Sequence, residues 1–435
     1  MKKILIVGDI PIHESGVGRM TRALAKALIQ ANYDVTCFGM LQFGSPPGQL
    51  IYSFDTGEKL KILAAPQEND RSPFLLNIKL FNQTMAETKP DLIILFQDPY
   101  KFGPLWDVLP AIRTKCPVYF ISIWDTYLIP HPQGKAHYIL PLYENVDYFG
   151  CYSKQHTWFV NRVFDKLKYS NKPTIEYIPI GENPEVFKPI AVEPNADFDF
   201  TVLFANNNQH RKKVVDIIVA FQRFTDSLPI DKSKRTRLIL HTAEVSPLGW
   251  NLPETIAALA PTANIQLSSE KLIDSKLNYT FNSCDVFVAA SNAEGFGLTV
   301  NNAMLAGKCL IVNTTGGLVD QLYDYDEWTP EFKNNLSTKT HGSWAFPLYP
   351  NETVVGGLLT HYLYDETAPI NQIVDGFKYW YDISKAERDR RGLLGRKFAI
   401  DKGLITANFT AKTVAAVNKC IESFKPKEPC NIYKL

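Results

Sequence analysis

The chain has 435 residues, 45% hydrophobic and 21% charged, an ordinary soluble globular composition and too long for one core, so about two domains of about 200 residues each are expected. Lys and Arg number 46 against 45 Asp and Glu, leaving no basic surplus for a phosphate backbone, and nucleic acid is excluded as a partner. Seven cysteines scattered from Cys37 to Cys430 without a CxxC pair argue against a disulfide framework or zinc site and point to reduced, buried thiols.

The opening run MKKILIVGDI ends at Gly8 after about four apolar residues, too short for a signal-peptide core. No later stretch approaches the roughly 18 apolar residues that span a membrane. The expectation is a cytoplasmic protein, with peripheral membrane contact left open.

Short apolar runs then alternate with helical patterns, as in parallel sheets covered by helices on both faces. Strands are expected at 3–8, 35–39, 61–65, 91–97, 117–123, 148–152 and 175–180. Between the first two, Met20, Leu24, Ala27 and Leu28 repeat at helical spacing and turn Arg19, Arg22 and Lys26 to the other side, as a solvated or membrane-facing basic face. A connector carrying Pro179, Pro184, Pro189 and Pro194 interrupts regular structure and places a boundary near 181–198. A second alternation follows, with strands at 201–205, 237–241, 264–267, 286–290 and 309–313 and helices around 214–224 and 275–283. Residues 325–352, polar and aromatic without period, read as a long loop or insertion.

Three constellations could carry chemistry. Gly16-Val17-Gly18-Arg19 follows the opening strand, where glycines admit close backbone approach to a ligand, although the full dinucleotide fingerprint is absent and a plain turn explains them equally. Asn206 to Lys213 follows the first strand of the second half, where Arg211 and Lys212 could grip phosphate or form a solvated basic turn. Trp124-Asp125 follows the fifth strand, where Asp125 could orient a hydroxyl or cap a turn. Neither His210 nor His241 has partners at metal-ligand spacing. Thr314-Thr315-Gly316-Gly317 could approach a ligand or form a tight turn.

The most informative segment is Glu294-Gly295-Phe296-Gly297-Leu298-Thr299, between an apolar run and a helix start. A carboxylate accepts hydrogen bonds from sugar hydroxyls, and backbone N–H groups at a helix N-terminus attract phosphate oxygens. Together they suit a sugar joined to a diphosphate.

GVGR, IPIGENPEVFKP, RKKVVDIIVAF, SNAEGFGLTVNNAMLAGK and TTGG occur in an order that resembles the retaining GT-B glycosyltransferases of the glycogen-synthase and mannosyltransferase-like superfamily, glycosyl transferases group 1, with bacterial and large-DNA-virus members. The resemblance implies an α/β fold of two Rossmann-like domains facing across a cleft: an acceptor-side domain over 1–185, a nucleotide-sugar domain over 186–405, and a C-terminal helix and tail, 406–435, returning to the first. It implies that Glu294 contacts the donor sugar, that the backbone of Gly295, Phe296, Gly297 and Leu298 holds sugar and diphosphate with Thr299, and that Lys212 neutralises the leaving group. Gly16 and Gly18 would also approach the donor.

Four positions depart from the family pattern. Lys213 replaces a Gly after the lysine, and Asn207 replaces an Arg whose place Arg211 would take. Asn302 replaces the second Glu, the ribose ligand, and an amide lacks its charge and bidentate acceptor geometry. Asp125 replaces a family His that follows the fifth strand near the reaction centre. The implied function is retaining transfer from a UDP- or GDP-sugar co-substrate, without a metal or other cofactor, to a glycan, glycoprotein or lipid acceptor, to which Asp98, Tyr100 and Trp124 are candidate contacts. The alternatives are a catalytically inactive nucleotide-sugar-binding or assembly subunit, and a nucleotide-sugar epimerase.

Overall fold

A computed structural model describes residues 1–40, 48–65, 76–123, 140–167, 172–193, 195–355 and 363–426. The first sheet contains β1 (Lys3–Asp9), β2 (Asp34–Met40), β3 (Gly48–Ser53), β4 (Lys59–Ala65), β5 (Leu92–Gln97), β6 (Val118–Ser122), β7 (Tyr148–Cys151) and β8 (Thr174–Tyr177), in the order β3-β4-β2-β1-β5-β6-β7-β8. Its pairs are parallel except the β3–β4 hairpin. The central strands β1 and β5 are continuous apolar runs, buried almost throughout, because packing covers both faces of a parallel sheet.

The second sheet contains β9 (Phe200–Ala205), β10 (Thr236–His241), β11 (Ile265–Ser268), β12 (Val286–Ala289), β13 (Cys309–Asn313) and β14 (Ala345–Leu348), all parallel, in the order β11-β10-β9-β12-β13-β14. A separate antiparallel pair joins β15 (Asn351–Val355) to β16 (Leu363–Thr367). Among the parallel strands of each large sheet the order reverses between β1 and β5 and between β9 and β12. In open α/β sheets the crevice beyond the carboxyl ends of such a pair is where ligands bind.

Two expectations are corrected. Residues 325–352 are not one long loop: they contain the Pro330–Asn334 helix, whose Thr329 side chain accepts from the Phe332 N–H at 3.1 Å, and β14 at the sheet edge. Pro347 hides this strand from a pattern reading, yet an edge strand tolerates its missing N–H. The basic stripe of the opening helix, Gly16–Gln30, is not simply solvated. Arg19 is 16% exposed and bridges the connector to the second half, its Nε 3.1 Å from Glu182 and its Nη1 2.6 Å from Asp274. Arg22 pairs with Glu14 at 3.1 Å.

The Thr406–Ser423 helix lies on the first half. Phe409 approaches Phe96 with ring centroids 6.1 Å apart, and the Thr406 hydroxyl donates to Gly181 O at 2.7 Å. One apolar cluster includes Leu24, Phe96, Phe187, Phe296, Val300 and Phe409, so the cores of the two sheets are continuous. The connector is stitched by Asn301, whose Oδ1 accepts from Glu182 N–H at 2.8 Å and whose Nδ2 donates to Leu404 O at 3.1 Å. Among the described residues, no helix is long and apolar enough to cross a membrane.

Candidate functional site

Beyond β9 the chain enters a short 3-10 turn, His210–Lys212, and beyond β12 it enters the Glu294 segment. Because β9 and β12 are neighbours at the strand-order reversal, residues more than 80 positions apart in sequence meet here. The Lys212 ammonium donates directly to Glu294 Oε1, and both side chains are buried. Arg211 Nη1 lies 3.4 Å from Glu294 Oε2 and donates to Ala293 O at 2.8 Å, while Ser291 Oγ donates to Oε1 at 3.2 Å. Burial alone would raise the carboxyl pKa, but Lys212 and then Arg211 outweigh it and hold Glu294 at about 2. The acid is therefore ionised throughout the physiological range.

Lys213 has φ 55° and ψ 34°, the left-handed region that glycine adopts most easily, and its conformation lets the turn lead straight into the Val214–Asp226 helix. On the other side, Gly297 (φ 88°) starts the Leu298–Leu305 helix without a side-chain cap. The backbone N–H groups of Leu298 and Thr299 have no acceptor among the described residues. Unsatisfied first-turn donors are the anion-attracting feature of a helix N-terminus.

The motif is held from behind by the Gly316–Gln321 turn and its neighbours. Gly317 N–H donates to Glu294 O at 2.9 Å, and a Cβ at Gly317 would lie 2.1 Å from Gly295 O, so this close approach requires glycine. The Gln321 side chain donates to Phe296 O at 2.5 Å. Asn313 Nδ2 bridges Ser291 O at 2.9 Å and Glu366 O at 2.7 Å. The buried Glu366 carboxylate pairs with Lys333 at 2.6 Å and accepts from the Thr315 hydroxyl. Glu366 and Lys333 carried no sequence signal, because their partners are distant in the chain.

The remaining candidates are scattered around this site or away from it. Gly16 faces this motif, since a Cβ there would meet Leu298 Cδ1 at 3.0 Å, whereas Gly18 is close-packed on its own loop, 2.4 Å from His13 O by the same construction. Thr299 lies in the first turn, and Asn302 is buried on the same helix with its Oδ1 lacking a partner among the described residues. Trp124 and Asp125 lie outside the described residues. Asp98 and Tyr100 follow β5 on the first half, and Tyr100 is exposed. His241 sits 3.0 Å from Ser268 Oγ, and His210 packs against Trp250.

Sequence reasoning also missed His156, which is fully enclosed with Nε2 2.8 Å from Ser122 Oγ at the end of β6. Burial pushes its pKa down to about 3 and keeps the ring neutral.

Residues 188–334 match the family model described as Glycosyl transferases group 1. No curated protein matches by sequence. Among solved structures, a sucrose-phosphate synthase from Thermosynechococcus elongatus superposes with TM-score 0.70 at 14% identity, covering 97% of this chain and 100% of that one. An alpha,alpha-trehalose 6-phosphate synthase from Burkholderia multivorans gives 0.68 at 15% identity, covering 98% and 100%. A trehalose-6-phosphate structure from E. coli, bound with UDP-2-fluoro glucose, gives 0.66 at 10% identity, covering 98% and 100%. At these identities the likeness establishes the fold, and the chain accordingly has the GT-B fold, within which residues 188–334 are similar to the glycosyl transferases group 1 model.

Proposed function

We propose that this protein is a retaining glycosyltransferase that moves a sugar from a nucleotide-diphosphate donor, a UDP- or GDP-sugar, to a hydroxyl of a glycan or other acceptor. The observation that carries the reading is the buried Lys212–Glu294 pair, set with Arg211 beside the uncapped start of the 298–305 helix. The UDP-2-fluoro glucose named for the E. coli neighbour supports a donor of the same class.

Breaking the bond between sugar and β-phosphate develops negative charge on the phosphate and positive charge on the ring. Prearranged cations and N–H dipoles in a partly enclosed site lower that barrier because they need little reorganisation. Lys212 and Arg211 would meet the departing diphosphate together with the N–H groups of Leu298 and Thr299. Glu294, ionised by the same two cations, would accept from sugar hydroxyls and fix the ring. The glycines at 295 and 297 let the backbone approach the donor, and the Gly16 loop would complete the wall opposite Leu298. The acceptor hydroxyl would pass its proton to the leaving phosphate on the face it attacks, which retains the anomeric configuration. Closure of the cleft would keep water from the competing hydrolysis. Asn302 would serve the ribose with a neutral acceptor.

The test is incubation of the full chain with UDP-glucose, GDP-mannose or ADP-glucose and a panel of sugar and sugar-phosphate acceptors, with NMR of the first-formed product. Transfer with the donor's anomeric configuration supports the reading, and an inverted product overturns the retaining mechanism. Asn302 favours a second reading, a nucleotide-sugar-binding subunit without turnover. Saturable donor binding with neither transfer nor hydrolysis across the panel would select it.

A further inference from the structure

Apart from the Glu294 site, a cavity of about 420 Å³ opens between the Lys154–Leu167 helix of the first half and residues 326–329 of the second. The helix contributes Lys154, Trp158, Asn161, Arg162 and Asp165, spaced at three or four residues and therefore on one face. Tyr177, at the end of β8, forms another wall. From the second half come Asp326, Glu327 and Trp328.

The chemistry of this lining is unusual for a hydrophobic groove, since none of its residues is aliphatic. Its aromatic wall is formed by the half-buried Trp158 and Tyr177, and the fully buried Trp328 backs Trp158 with ring centroids 5.0 Å apart. Cations lie over these rings, the Arg162 guanidinium 5.5 Å from the Trp158 centroid and the Lys154 ammonium 5.9 Å from that of Tyr177. Part-buried aromatic rings set among carboxylate, amide and cationic groups match a ligand with C–H faces and a hydroxyl perimeter, which is a pyranose. An acyl chain would find no aliphatic wall, and a polyphosphate would meet three carboxylates against two cations. The volume lies within the range of about 300–1,000 Å³ typical of small-ligand sites.

We propose that this cavity is a second carbohydrate-binding site, taking a short neutral oligosaccharide. It joins both halves of the chain, so an occupant would contact both at once. It also connects to the donor motif: the Lys154 backbone N–H donates to Asp320 at 3.0 Å, and Gly317, in the same 316–321 turn, donates to Glu294 O at 2.9 Å. The site stands independently of whether the Glu294 centre transfers sugar.

The experiment titrates the full chain with maltotriose, cellotriose and α-mannotriose, read by tryptophan fluorescence and saturation-transfer NMR. At least one trisaccharide should bind saturably, at least tenfold more weakly to Trp158→Ala and about threefold to tenfold more weakly to Arg162→Ala. Affinity should be unchanged in Glu294→Gln. Trp158→Ala also removes the contact with Trp328, so its melting temperature is measured alongside; Arg162 is exposed, and Arg162→Ala carries the test if the tryptophan variant does not fold. Absence of saturable binding for all three sugars overturns the proposal. So does binding that disappears in Glu294→Gln and survives Arg162→Ala.

Discussion

The two halves of this chain reverse strand order in the same way, but they finish the resulting crevice with different chemistry. After β1, the carboxylate of Asp9 accepts from Ser15 Oγ at 2.9 Å and from the Gln97 side chain, with Lys101 Nζ at 3.8 Å. Ser15 also caps the following helix, accepting from Gly18 N–H at 3.0 Å, so that helix start is satisfied internally. After β12, Glu294 meets Lys212 directly with Arg211 at 3.4 Å, and the following helix begins at a glycine with no side-chain cap. A doubly wound sheet thus supplies the location twice, and the loop residues decide which following helix is capped by a side chain and which begins uncapped.

Substitutions at the two crevices should separate them. The largest effect is expected for Lys212→Met, which removes the cation proposed to meet the leaving diphosphate: kcat should fall by about 10²–10³-fold, measured by donor turnover. Because it leaves Glu294 buried with Arg211 at longer range, the same variant should lose about 3–5 kcal/mol in denaturant unfolding. Gly317→Ala tests the support behind the motif. Its Cβ cannot be accommodated at 2.1 Å from Gly295 O, so donor affinity should drop at least tenfold, checked by calorimetric titration with the candidate donors.

At the other crevice, Asp9→Asn should weaken the loop by about 1–2 kcal/mol, read by denaturant unfolding, while donor affinity stays within about twofold. A larger loss of donor binding in Asp9→Asn than in Lys212→Met would reverse the contrast between the two sites.

A smaller effect concerns pH. Burial lowers the His156 pKa to about 3, below its ordinary 6.5, so the unfolded chain binds the extra proton between those values. Its contribution is complete above about pH 6.5 and declines as pH falls, by up to about 1.4 kcal/mol per pH unit. His156→Gln should flatten that part of the stability profile between pH 6.5 and about pH 5, measured by unfolding at each pH. An unchanged slope would show that another group governs it.

The fold was largely legible because central parallel strands are continuous apolar runs, as in β1, β5 and β9. Two of the four edge strands were not, whereas β8 and β11 at the opposite edges fell on the expected 175–180 and 264–267. β3 alternates weakly with much of its length exposed, and β14 contains Pro347 within a polar stretch. The segment around Glu294 was visible because glycine, acid and helix start lie together in sequence. Its direct pairing with Lys212 follows from β9 and β12 becoming neighbours, which no local pattern encodes. Arg19 illustrates the opposite error, since a basic residue on the polar side of an amphipathic helix looked solvated until Glu182 and Asp274 folded against it. Lys333 and Glu366 were invisible for the same reason: a buried ion pair is a property of the assembled site.

The most direct measurement is calorimetric titration of UDP-glucose, GDP-mannose and ADP-glucose into the wild-type chain and into Lys212→Met, with the folded fraction of each established beforehand. Saturable binding of at least one donor to the wild type, weakened at least tenfold in the variant, is the predicted result. Equal affinity of both folded proteins for the same donor would contradict the assignment of the Lys212–Glu294 crevice as the diphosphate-sugar site.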